Sequence, residues 1–250
     1  MNVAVILPAA GQGTRMGRGS AEKTGTGRKQ FQMLEGSPIL LHTVRKFAAS
    51  ERVREIVVAA PAAEVAWTGE LLAREFPDGR ARVVAGGPSR QQSVENALDT
   101  ISPAVDLVAV HDAVRPFIDL ETIHKAFDEA FETGAAIVGV VPVDTVKQVS
   151  RSTGRARIRA TLPRDKLVLA QTPQVFRYHL LARAFESARR DGFIGTDEAS
   201  LVERLDVDVT VVLGSDRNIK ITKPSDMDLA RLFFLQEQRE RLRADAVVEP

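Results

Sequence analysis

The chain has 250 residues, 44% of them hydrophobic, with 34 basic and 33 acidic side chains and a formal net charge of +1. That length suits one large α/β domain with at most a small appendage. The balanced charge carries no signature of nucleic acid or membrane-surface binding, so any cationic site must be local. The lack of cysteine excludes disulfides and thiolate metal sites and fits a cytoplasmic location.

The first apolar run, Val3-Ala4-Val5-Ile6-Leu7, has no basic region before it and is too short for a signal peptide or a membrane span. Its β-branched content reads as a buried parallel strand. Ser37 and Pro38 predict the N-cap and first position of a helix through about Ser50. Ile56–Ala60 reads as the next strand, followed by a helix to about Phe76 carrying Val65 and Leu72. Arg82–Ala85 reads as a short strand, with helical spacing after it at Val94, Ala97, Leu98 and Ile101. Leu107–Val110 is a buried strand. Asp119 caps a helix closed by Gly134, and Ala136–Val141 is another strand. This alternation predicts a doubly wound, mostly parallel α/β sheet, with a ligand at the carboxyl ends of its strands.

The rhythm breaks between Pro142 and Thr172, where Thr145–Val149 and Ala156–Ala160 can pair around Ser152-Thr153-Gly154. An isolated hairpin is marginal in water, so this arm at about 142–172 is expected to pack on a second subunit. Beyond it the pattern predicts a helix near His179–Arg190 and strands at Val209–Leu213 and Asn218–Thr222. A last helix is capped by Ser225, with a frayed tail from Ala244. No internal repeat or linker divides the chain, which reads as a single domain over 1–250.

Behind the first strand lies Leu7-Pro8-Ala9-Ala10-Gly11-Gln12-Gly13-Thr14-Arg15-Met16-Gly17. Small residues let backbone amides approach an anion, and Arg15, Arg28 and Lys29 add positive charge, which points to a nucleotide phosphate. The dinucleotide fingerprint fails because Met16 stands where its third glycine belongs. A Walker loop fails because Glu22 stands at its second glycine. Gly86-Gly87-Pro88-Ser89 opens a helix and offers backbone groups to a base edge, with a hydroxyl at Ser93; a simple helix cap is the plainer alternative. His111-Asp112-Ala113-Val114-Arg115 ends a strand with an acid and a base three apart. It is either a local ion pair or a carboxylate beside a magnesium-bound phosphate. Thr196-Asp197-Glu198 starts a helix, and Lys220 in its strand-like segment calls for an anion if it is buried. His42, His124 and His179 have unrelated spacings, and no hydrolytic triad is formed.

Six segments occur in order: Pro8-Ala9-Ala10-Gly11-x-Gly13-x-Arg15-Met16, Arg28-Lys29-Gln30-Phe31, Val110-His111-Asp112-Ala113-x-Arg115-Pro116, Thr172-Pro173-Gln174-Val175-Phe176, Thr196-Asp197-Glu198-Ala199 and Asn218-Ile219-Lys220-Ile221-Thr222. Together they resemble the 2-C-methyl-D-erythritol 4-phosphate cytidylyltransferases of the non-mevalonate isoprenoid pathway, from about residue 3 to 235. The resemblance implies a Rossmann-like nucleotidyltransferase sheet with a projecting β-arm. It also implies transfer of CMP from CTP to a sugar-alcohol phosphate, with Mg²⁺ on the triphosphate. It assigns Arg15 and Lys29 to the transition state. Pro8, Ala9, Ala10, Gly11, Gly13, Gly87, Ser93, Asp112, Ala113 and Lys220 fall to the nucleotide, with Asp112 also the candidate metal ligand. Arg115, Thr145, Arg164 and Thr196 fall to the acceptor, Thr145 and Arg164 being reached from the other subunit of a homodimer. Two features depart from the family pattern. The glycine-rich stretch from Gly17 to Gly27 is long and offers Lys23 as a rival to Lys29. Pro88-Ser89 replaces a more usual acidic pair, which leaves the ribose contact open. A ribitol 5-phosphate cytidylyltransferase and, more remotely, a dinucleotide-dependent oxidoreductase are the alternatives.

Overall fold

A computed structural model describes residues 1–11, 28–152 and 154–248. Gly13, Arg15, Lys23 and the rest of the Gly17–Gly27 stretch lie outside the described residues. The chain opens with β1 (Val3–Pro8). From residue 28 it runs through a 3₁₀ turn (Lys29–Phe31), a tight pair formed by β2 (Met33–Leu34) and β3 (Ser37–Pro38), and α1 (Ile39–Ala48). Next come β4 (Val53–Ala60), α2 (Val65–Glu75), β5 (Ala81–Ala85), α3 (Arg90–Leu98), β6 (Leu107–Val110), α4 (Leu120–Thr133) and β7 (Ala135–Val140). The hairpin of β8 (Val146–Ser152) and β9 (Arg155–Leu162) leads into β10 (Leu169–Arg177). Then follow α5 (Tyr178–Asp191), α6 (Glu198–Glu203), β11 (Thr210–Leu213) and α7 (Pro224–Val248).

Among the described residues, seven strands form one sheet in the order β11-β7-β10-β6-β1-β4-β5. All neighbours are parallel except β10, which runs antiparallel to both β6 and β7. Strand alternation sends Val3, Val5 and Leu7 to one face, where they meet Leu40, Val44, Phe47, Leu72 and Phe127 from α1, α2 and α4. Ala4 and Ile6 point to the other face and meet Val94, Leu98, Phe185 and Leu201 from α3, α5 and α6. A third cluster joins Leu34, Ile39, Phe117 and Ile221 to Met227 and Ala230 of α7. The predicted caps of α4 are present: the Asp119 carboxylate accepts from the Thr122 amide at 2.7 Å, and Gly134 closes the helix at φ 98°. β4 and β5 grow outward from one side of β1, and β6 adds to its other side. The sheet therefore reverses direction at β1, and a crevice opens at the carboxyl ends of β1 and β6.

Several sequence expectations are corrected. Ser37 and Pro38 are not a helix cap and first turn; they pair with Met33 and Leu34, and α1 begins at Ile39. Asn218–Thr222 is not a strand. It is a connection held at both ends: the Ile221 amide donates to the Val114 carbonyl at 3.0 Å, and the Asn218 side-chain amide donates to the Thr172 carbonyl at 2.9 Å. Ser225 does not cap α7, because the helix starts at Pro224. The Asp226 carboxylate accepts from the Thr222 and Lys223 amides at 2.7 and 3.0 Å. The tail is helical to Val248 rather than frayed from Ala244. β10, in the middle of the sheet, is a strand that the sequence pattern does not predict. The hairpin strands run longer than the expected Thr145–Val149 and Ala156–Ala160, with Val149 and Ile158 exposed, whereas the end of the expected arm from Leu169 belongs to β10. No helix among the described residues is long and apolar enough to cross a membrane.

Candidate active site

The crevice holds a cleft of about 420 Å³. Of the nucleotide-site residues expected from the sequence, Pro8, Ala9, Ala10, Gly11, Gly87, Ser93, Asp112, Ala113 and Lys220 line it, and so does Lys29. One end is a slot of backbone and small side chains. A Cβ on Gly86 would stand 2.5 Å from the Ala10 Cβ and 3.0 Å from the Ser93 hydroxyl, so only glycine lets the two walls come this close. Ser89 accepts from the Gln92 amide at 3.0 Å and caps α3. Ser93 sits one turn in: its hydroxyl donates to the Ser89 carbonyl at 2.7 Å and accepts from the Gly87 amide at 3.1 Å. The same residues thus serve as the helix cap and as the wall of the slot.

The other end is charged. Asp112 leaves β6 at the floor of the cleft, with its carboxylate facing Lys220 at 2.8 Å, Arg115 at 3.4 Å and Arg90 at 3.5 Å. Burial opposes its charge, but Lys220, then Arg90 and Arg115, outweigh burial and hold the carboxyl well below the usual carboxylate range. Arg115 also donates to the Asn218 carbonyl at 2.6 Å, which ties the Lys220 segment to the end of β6. His111 beside it is fully buried. Its Nε2 lies 3.0 Å from the Arg115 carbonyl, its Nδ1 3.1 Å from the Thr172 hydroxyl, and Thr172 in turn accepts from the Asp112 amide at 3.0 Å.

Arg90 and Glu198 were not identified from sequence as site residues that act together. Arg90 Nη1 donates to both oxygens of Glu198, at 2.7 and 2.9 Å, while its Nε faces Asp112. Glu198 is 1% exposed; burial pushes its carboxyl up, and the charge of Arg90 offsets only part of that effect. Gln174 in β10 accepts from the Glu198 and Ala199 amides at 3.1 and 3.0 Å and donates to Asp197 at 2.8 Å. The start of α6 is thereby fastened to the cleft. Thr196 lies just ahead of that start and is exposed. Arg28 and Gln30 also line the cleft. The pair Arg90–Glu198 spans 108 positions, and no local pattern announces it.

Three cations therefore face two carboxylates at this end, which leaves an excess of positive charge for an anion. Among the described residues no group of three histidines or carboxylates could hold a metal on its own. Asp112, the carboxylate that lines the cleft, would supply one oxygen ligand to a magnesium ion brought in by a ligand. Thr145 and Arg164 are exposed on or beside the arm and do not line the cleft; Arg164 donates to the Val143 carbonyl at 2.5 Å.

Comparison with known proteins gives one consistent answer. A protein from Solibacter usitatus named 2-C-methyl-D-erythritol 4-phosphate cytidylyltransferase is 72% identical over 95% of this chain and 97% of its own length. Another of that name, from Acidobacterium capsulatum, is 51% identical over 96% of this chain and 100% of its own. Among solved structures, 4-diphosphocytidyl-2C-methyl-D-erythritol synthase from Anaerococcus prevotii superposes with a TM-score of 0.79 at 28% identity, covering 94% of this chain and 96% of that one. The Francisella tularensis 2-C-methyl-D-erythritol 4-phosphate cytidylyltransferase gives 0.75 at 33% identity, covering 93% and 99%. The model of the 2-C-methyl-D-erythritol 4-phosphate cytidylyltransferase family matches residues 3–237, and the chain belongs to that family.

Proposed function

We infer that this enzyme transfers the cytidylyl group of CTP to 2-C-methyl-D-erythritol 4-phosphate, giving 4-diphosphocytidyl-2-C-methyl-D-erythritol and diphosphate. Family membership carries the substrate assignment, and it gives no support to the ribitol phosphate and oxidoreductase alternatives. The structural observation that supports it best is the lining of the cleft, which combines a backbone-lined slot at Gly86, Gly87 and Ser93 with a cationic group around Asp112. We assign the slot to the base and the cationic group to the reacting phosphates.

In the proposed reaction an oxygen of the acceptor's phosphate forms the new bond to the α-phosphorus of CTP. The bond from that phosphorus to its bridging oxygen breaks, and diphosphate leaves with the electron pair. The acceptor phosphate is already anionic near neutral pH, so no general base is required. The protein's work is positioning and charge stabilisation. We assign Lys29 and Arg15 to the charge that builds on the α-phosphate and Lys220 to the phosphates beside Asp112. Arg115 and Thr196 are assigned to the acceptor. A magnesium ion on the triphosphate would neutralise its charge, with Asp112 as the protein's carboxylate ligand.

The arm supports a composite site. Its hairpin exposes Val149 and Ile158, and neither Thr145 nor Arg164 lines the cleft of its own chain. We propose a homodimer in which each arm crosses to the partner and delivers those two residues to the partner's acceptor site. The enzyme is proposed to act in the cytoplasm, on soluble phosphate esters. Phosphorus NMR of a reaction mixture tests the reading. The acceptor's monoester resonance should give way to the two coupled resonances of a diphosphate diester while free diphosphate accumulates. A monoester signal that persists while CTP is hydrolysed would refute it.

A further inference from the structure

Gln30 is 2% exposed although it sits beside the cleft, and its side-chain amide has a specific use. Its Nε2 donates to the Ala9 carbonyl at 2.5 Å and to the Gly11 carbonyl at 3.1 Å. The Ala10 carbonyl between them accepts from Arg28 Nη1 at 3.3 Å. Three successive carbonyls behind β1 are thus occupied by side chains of one short segment. In a planar trans peptide the C=O and N–H point in opposite directions, so fixing the Ala9 and Ala10 carbonyls also fixes the Ala10 and Gly11 amides, facing away from their clamps. Both residues line the cleft, and among the described residues neither amide donates a hydrogen bond.

The same side chain registers the catalytic lysine. Gln30 is the middle residue of the 3₁₀ turn Lys29–Phe31. Phe31 is buried, with the Trp67 ring edge-on at 5.2 Å. With Phe31 held in the core and Gln30 tied to the loop, the remaining residue of the turn, Lys29, lines the cleft.

We propose that Gln30 is a positioning residue for cytidylyl transfer: by clamping the Ala9 and Gly11 carbonyls it aims the loop amides and Lys29 at one triphosphate geometry. This rests on the functional reading above. Gln30→Met keeps the length and volume of the side chain and removes both donors. Gln30→Glu keeps size and polarity but sets a carboxylate against two carbonyl oxygens.

The experiment is CTP affinity by titration calorimetry with magnesium, steady-state KM values for both substrates, and thermal unfolding. Gln30→Met should weaken CTP by about tenfold or more and lower kcat, with the acceptor KM within about twofold of wild type. Gln30→Glu should be worse at neutral pH. Unchanged CTP affinity would overturn the proposal. So would a parallel rise of both KM values with a lowered Tm, because that is general loosening of the fold. If neither variant folds, Gln30→Asn decides: it keeps the amide but is one methylene too short to reach both carbonyls, so it should weaken CTP several-fold with Tm near that of wild type, and unchanged CTP affinity would overturn the clamp. A wild-type enzyme that binds CTP yet makes no product would refute the functional reading, and CTP affinity would still decide this one.

Discussion

His111 should account for a measurable share of this enzyme's loss of stability in acid. Its Nε2 faces a carbonyl, which can only accept, so Nε2 carries the proton and Nδ1 accepts from the Thr172 hydroxyl. The ring is fully buried and meets Phe47 edge-on at 4.8 Å. Burial pulls its pKa down to about 4 from an ordinary 6.5. The folded state therefore holds the neutral ring, while the unfolded chain takes up a proton as pH falls through 6.5. Stability from this group is complete above pH 6.5 and declines on acidification until the folded state also protonates near 4. Integrating the two titrations gives a loss of about 2.5 kcal/mol between pH 7 and pH 4.5. His42 and His124 are also lowered by burial and act in the same sense, so the comparison must be a difference. Urea unfolding of wild type and His111→Asn across that range should show the variant less stable at pH 7 but with a shallower pH dependence, the gap narrowing by about 2.5 kcal/mol. Proton NMR offers a direct check, since one imidazole should remain neutral to near pH 4. Parallel stability curves, or a His111 imidazole that takes up its proton near 6.5, would refute the reasoning.

Lys29→Ala should lower kcat by about 10²-fold, because its charge matters most as the α-phosphate becomes more negative, whereas Lys23→Ala should be mild. Steady-state kinetics giving the reverse pattern would move the role to Lys23. Glu198→Leu should cost about 2 kcal/mol of stability in urea unfolding and lower turnover, since it leaves Arg90 with Asp112 as its remaining anion. An unchanged unfolding midpoint would mean that the pair is incidental. Arg164→Ala and Lys220→Ala chains, each nearly inactive alone, should recover towards roughly a quarter of wild-type activity after subunit exchange, because about half the dimers are mixed and half their sites are intact. No recovery after proven exchange would place each whole site within one chain.

Much of the scaffold was legible because buried parallel strands are short apolar runs with few alternatives. Leu107–Val110 is found at its predicted ends, and β1 and the caps of α4 are nearly as close. β10 was hidden because its middle reads Gln171-Thr172-Pro173-Gln174, polar and proline-bearing, and nothing local shows that tertiary pairing will bury it between β6 and β7. Asn218–Thr222 misled in the opposite way. Ile219 and Ile221 alternate as in a strand, but the segment pairs with no strand among the described residues and packs Ile221 under α7 instead. At the site, residues following strands were found because α/β sheets place ligands there. Arg90 and Glu198 escaped because a buried ion pair between distant segments leaves no periodicity. Gln30 stood within a recognised motif, but its role depends on which carbonyls it reaches.

The central claim, cytidylyl transfer to methylerythritol phosphate, is tested most directly by initial rates of diphosphate release for CTP, UTP, ATP and GTP, each against methylerythritol 4-phosphate and ribitol 5-phosphate with magnesium. A slot that reads the exocyclic amine of cytosine through hydrogen bonds should reject uridine by orders of magnitude in kcat/KM. The expected result is one dominant combination, CTP with methylerythritol 4-phosphate, abolished by EDTA and restored by magnesium. Comparable rates with UTP, or faster turnover of ribitol 5-phosphate, would contradict the assignment.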